Sequence, residues 1–72
     1  GMFMFERDRL QDIVSELSRW YGIEIVVEGQ TLQNSTITAF FERSVSIDEI
    51  MTTIEQTINV KITKEEGRYV IR

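Results

Sequence analysis

The strongest constraint on this chain is that its second half repeats its first. Leu10, Ile13, Val14, Leu17 and Tyr21 match Ile47, Ile50, Met51, Ile54 and Ile58 at a constant offset of 37 residues. Both sets follow the i, i+3, i+4, i+7 spacing of a helix with one apolar face. The match continues beyond the helices, with Gly22 meeting Asn59, Ile23 meeting Val60 and Ile25 meeting Ile62. Gly and Asn are the residues that best tolerate a left-handed helix cap. Phe5-Glu6-Arg7 and Phe41-Glu42-Arg43 add an upstream match one residue out of phase. The expected architecture is an α+β fold made of a duplicated β-α-β unit, in βαββαββ order, with two helices packed against small β-sheets.

Local signals place the elements. Met2 to Glu6 reads as a strand, and Asp8 as the cap of the first helix, with Gln11 completing a weak capping box. Gly22 stands where that helix ends. Ile23 to Glu28 alternates and is rich in β-branched residues, which predicts a strand. Gly29 to Ser35 reads as a loop anchored by Leu32, and Thr36 to Phe41 as a third strand. Ser46 and Glu49 form a stronger capping box for the second helix, with Val45 and Ile50 as its hydrophobic staple. Val60 to Thr63 and Arg68 to Arg72 read as strands joined by a hairpin loop over 64–67.

A chain of 72 residues makes one domain. Its radius of gyration should be roughly 11 Å, and a pocket of about 300 Å³ would take much of such a core. Gly1 before Met2 is read as the scar of a cleaved tag, and the domain over 1–72 as the C-terminal module of a longer protein. The chain has no His and no Cys. Those absences exclude histidine acid–base chemistry, Cys nucleophiles, Cys/His zinc sites and disulfides. No Gly-rich phosphate loop is present, and no carboxylate pair lies in an apolar setting. Neither catalytic residues, nor a metal, nor a cofactor is expected. The net charge is −4, and the cations are spread from Arg7 to Arg72 without a basic stripe, which argues against nucleic acid and against an anionic membrane surface.

What is left is contact with protein. Met4, Val26, Phe40 and Val70 interrupt the otherwise polar outer faces of the strands. Gathered by sheet pairing, they would make an exposed apolar patch and a partner site. Trp20, at the edge of the first helical stripe, is a further candidate anchor. Unpaired sheet edges offer a second route to partners. The alternative from another class is a carboxylate-based metal module, with Asp8, Asp12 and Glu16 as an oxygen-ligand ridge for calcium. The plainer reading of that ridge, as of Glu24 and Glu28, is a solvated face.

Leu17-Ser18-Arg19-Trp20-Tyr21-Gly22-Ile23-Glu24-Ile25 resembles the C-terminal domain of ferric-citrate-regulator (FecR) type anti-sigma factors, in the form common in Bacteroidetes. The family's opening Phe-x-Phe is similar to Phe3-Met4-Phe5. Its Thr-Gly-x-Phe strand corresponds to Thr38 through Phe41, with Ala39 in place of Gly. Its Ser-x-x-Glu-Ile-Leu helix corresponds to Ser46 through Met51. The layout is also similar to the secretin and TonB short N-terminal domain. The resemblance implies a periplasmic sensor domain of an inner-membrane-anchored anti-sigma factor. Its partner would be the signalling domain of a TonB-dependent receptor, and its output an extracytoplasmic-function sigma factor. The short N-terminal signalling domain of such a receptor, or of a secretin, is the nearest alternative.

Overall fold

The computed structural model describes residues 1–72. In chain order the elements are β1 (Met2–Arg9), α1 (Leu10–Tyr21), β2 (Ile25–Val27), α2 (Gln30–Gln33), β3 (Thr36–Glu42), α3 (Ile47–Thr57), β4 (Ile62–Glu65) and β5 (Arg68–Ile71). The strands form two sheets. One is the antiparallel pair β1–β3, and the other has the order β2-β5-β4. Strand β2 runs parallel to β5, and β4 antiparallel to it. The expected doubled β-α-β arrangement is present, and the radius of gyration is 11.1 Å. A single turn of helix, α2, occupies part of the stretch read as a loop, and Leu32 within it packs against the core as expected.

Equivalent elements meet in space. Helices α1 and α3 begin 37 residues apart, and so do β2 and β4. Strands β1 and β3 pair directly, with Met4 opposite Phe40 and Phe3 opposite Phe41. Because side chains alternate across a strand, Phe3, Phe5, Ile37 and Phe41 turn inward. They meet Leu10, Ile13, Val14 and Leu17 from α1, Ile50, Met51 and Ile54 from α3, and Tyr69 and Ile71 from β5. All 16 buried residues are hydrophobic, and the side-chain polar atoms left buried without a partner are Arg68 Nε and the Tyr69 hydroxyl.

The caps show where local chemistry prevails and where it yields. Ser46 caps α3 as expected, its hydroxyl accepting from the Glu49 N–H at 3.2 Å. Gly22 ends α1 at φ +65°, in the left-handed region, and its N–H returns to the Ser18 carbonyl. Asn59 does not take the matching role, because α3 closes through Ile58 in an extended conformation. Asp8 is not the cap of α1. The β1–β3 ladder runs on through Asp8↔Ile37 and Arg9↔Thr36, so the helix starts only at Leu10. There the Leu10 N–H donates to the Ser35 carbonyl, and the Arg9 guanidinium donates to Asn34 Oδ1. A ladder irregularity between Phe5 and Asp8 places Arg7 at φ +49°, where its N–H donates to Thr38 Oγ1.

These assignments separate neighbours of similar chemistry. Phe3→Ala should lower unfolding stability by about 3–5 kcal/mol, whereas Met4→Ala should change it by less than about 0.5 kcal/mol. Ser46→Ala should cost about 1 kcal/mol as a lost N-cap. Asp8→Ala should show no such loss. Urea unfolding midpoints at constant m-value check all four.

Candidate functional site

The exposed apolar side chains of the domain concentrate on the β1–β3 pair. With Phe3 and Phe5 inside, the intervening residues of β1 must face out. Across the ladder Met4 lies opposite Phe40, and the two are 63% and 51% exposed. Met2, also exposed, extends the face toward Glu42, its cross-strand partner. Two of the expected contact residues, Met4 and Phe40, are therefore brought together by one cross-strand pair. Three large apolar side chains on a two-stranded ribbon form a continuous patch.

Trp20 is exposed too, at 53%, but stands off that face. It projects from the last turn of α1, edge-on to the inward Phe3 ring with centroids 5.8 Å apart. The Arg43 guanidinium lies 4.2 Å from the Phe3 centroid and 4.6 Å from that of Trp20, closing a cation–π cluster. Glu16 sits 4.0 Å from Arg43 on the other side. Tyr21 points inward and donates its hydroxyl proton to the Val45 carbonyl, which ties α1 to the approach of α3.

Val26 and Val70 part company with this patch. They are Cα partners in the other sheet, and Val70 is buried, at 2% exposure, while Val26 is half-buried. The expectation of an apolar opening at Val70 is corrected by the charged side chains around it. Val70 lies on the central strand, between Arg68 and Arg72, which share its face. Arg72 bridges both flanking strands, to Glu28 of the β2 side at 2.9 Å and to Glu65 of β4 at 2.7 Å. Arg68 and Glu24 add a pair at 3.9 Å. These paired side chains share the face of Val70, and long arginine stems of this kind cover apolar surface while the side chains as a whole stay partly exposed. Glu24 and Glu28 thus do lie on a wet strand face, but as partners of arginine.

The acidic ridge does not assemble. Asp8 belongs to β1, Asp12 pairs with Arg9 at 3.7 Å, and Glu16 faces Arg43. No three acidic side chains approach closely enough to hold an ion. Sequence reasoning did not anticipate the Arg72 network, whose signal was present in the Glu24/Glu28 and Arg68/Arg72 alternation. It also did not anticipate a cleft of about 260 Å³ between α3 and the β4 side of the sheet.

The geometry agrees with what the chain is similar to. The family model described as FecR, C-terminal, matches residues 2–71. The chain belongs to the FecR C-terminal family. Two crystal structures, at 1.65 and 2.50 Å resolution, share its fold; both are of a candidate anti-sigma factor from Parabacteroides distasonis ATCC 8503. The TM-scores are 0.86 and 0.85, each at 24% identity. They cover 100% and 99% of this chain, but the chain spans only 34% and 33% of theirs. No curated protein matches. None of the chain's helices is long and apolar enough to cross a membrane.

The arginine network has a pH signature. Hydrogen bonds from Arg72 hold the Glu28 carboxyl below its ordinary pKa. Thr63 first, and Arg72 second, do the same for Glu65. A carboxylate whose folded pKa is depressed stabilises the fold above its unfolded pKa, and that contribution is lost as pH falls through the folded value. Stability should therefore decline below about pH 4.5, near the unfolded carboxylate value. In Arg72→Met the decline should be shallower. Thermal midpoints from pH 7 to pH 2.5 for both proteins test this.

Proposed function

We propose that this domain is the periplasmic interaction module of a FecR-like anti-sigma factor. In this reading it receives the signalling domain of a TonB-dependent outer-membrane receptor. The ligand-loaded state of that receptor is then relayed to an extracytoplasmic-function sigma factor. Family membership supports the class of process, and the Met4/Phe40 pair carries the proposal for this chain. Two large apolar side chains are held in water on a rigid ribbon, while the outer face of the second sheet is covered by ion pairs. Burial of such side chains against a partner supplies binding free energy at roughly 25 cal/mol per Å² of apolar area before association costs.

A module of this kind acts by differential affinity. Docking of the receptor in one state biases the sensor toward one of two conformations by no more than the difference in binding free energy between them. Met4 and Phe40 are the proposed central contacts. Trp20, braced by Phe3 and Arg43, is a proposed flanking one, and half-buried Val26 a peripheral one. Phe40→Asp should leave the thermal midpoint within a few degrees of the parent. It should weaken calorimetric binding to the receptor's signalling domain by more than about 10-fold, equivalent to about 1.4 kcal/mol. Undiminished binding by the folded variant removes this face from the proposal.

A further inference from the structure

The second sheet ends on β4, and its pairing pattern shows which backbone groups look outward. Lys61 and Arg72 exchange both of their backbone hydrogen bonds. In an antiparallel ladder such pairs alternate, so Thr63 and Glu65 also bond inward to β5. Ile62 and Lys64 must then direct their N–H and C=O groups away from the sheet. One of these is already satisfied by a side chain, since the Ile62 N–H donates to Glu55 Oε2 at 2.8 Å. The Ile62 carbonyl and both backbone groups of Lys64 remain for a partner.

That edge borders the cleft of about 260 Å³, whose other wall is a stripe of α3: Asp48, Met51, Thr52 and Glu55. Ile62, Thr63, Lys64 and Tyr69 complete it. Tyr69 is 4% exposed and its hydroxyl is buried without a hydrogen-bond partner. Lys64 holds its Nζ 5.3 Å from the Tyr69 ring centroid. The wall is acidic, because no Lys or Arg occurs from Ser44 to Val60, while Asp48, Glu49 and Glu55 do. An open strand edge beside a helix wall is the arrangement that accepts an extended segment as an added strand.

We propose that the β4 edge and the α3 wall form a docking groove, distinct from the Met4/Phe40 face, for an extended segment of a partner protein with arginine or lysine at alternate positions. Backbone pairing to Lys64 and Ile62 sets its register, and its alternate side chains enter the cleft on the α3 side. A cation entering there meets Asp48 and Glu55. By drawing the Glu55 carboxylate to itself it releases the Ile62 N–H, so the strand gains a fourth backbone hydrogen bond. The net charge of −4 favours the same basic partner from a distance.

The test uses the ¹⁵N-labelled domain and an acetylated, amidated heptapeptide alternating arginine and valine. Binding should shift the amides of Ile62 to Glu66 and Asp48 to Glu55, and slow exchange of the Lys64 N–H by about 10-fold or more. In an antiparallel strand the arginines that enter the cleft lie opposite Ile62 and Lys64 and donate to them, so N-methylation of the arginines, which removes those donors, should weaken binding by about 10-fold, and so should glutamate in place of arginine. Asp48→Asn, which leaves the Glu55 contact in place, should weaken it several-fold. Absence of shifts at millimolar peptide overturns the proposal, as do shifts confined to β1 and β3 or equal binding by the N-methylated peptide. Concentration-dependent protection of Lys64 without peptide also overturns it, because the occupant is then a second copy. None of these readouts uses a receptor, so the result stands apart from the Phe40 experiment.

Discussion

The pairing of β1 with β3 is the contact on which the rest of the domain depends. It joins the opening strand of each copy across the whole length of the first repeat, so it must overcome a loop-closure cost that no local element bears. Its register turns Phe3, Phe5, Ile37 and Phe41 to one side, and these form the roof over the stripes of α1 and α3. Because the side-chain period of a strand is two, the same register leaves Met4 and Phe40 outside. A slip of one residue would exchange the core and the exposed patch. The strength of the core and the identity of the exposed patch are thus one structural decision.

The two sheets handle their outer faces differently. The β1–β3 ribbon leaves large apolar groups in water. The β2-β5-β4 sheet spreads two arginines along its central strand and glutamates on both neighbours, so that Val70 is covered by its own surroundings. Exposed ion pairs contribute little stability individually. Their effect here is on surface character, since they make one face of the domain polar and leave the other adhesive. That contrast is what the proposed docking role of the β1–β3 face requires.

Much of the fold could be read from particular residues. Ser46 and Glu49 cap α3 because a side-chain oxygen next to free N–H groups needs nothing distant to act. Gly22 ends α1 for an equally local reason, its tolerance of positive φ. The hairpin falls within the loop read over 64–67, but β4 runs on through Glu65, so the turn is the two residues Glu66-Gly67, both at positive φ. Asp8 and Asn59 had the same local credentials and lost them. At Asp8 the ladder with β3 continued and Ser35 supplied the missing acceptor. At Asn59 the chain left α3 extended and continued into β4. Among the expected contact residues, the outward placement of Met4 and Phe40 was legible from alternation. Val70 was not, because its exposure depends on side chains from three strands.

By itself the sequence determined the two long helices, their apolar stripes, the caps at Ser46 and Gly22, and the inward side of the β1 and β3 strands. These follow from spacing and from interactions within a few residues. Only the tertiary structure decided that β1 pairs with β3, that β5 lies between β2 and β4, and that Met4 meets Phe40 while Val70 is covered. It also decided that α3 flanks the open edge of β4. Each of these unites groups distant in the chain, and which distant groups meet is a matter of packing and closure entropy, which no local pattern records.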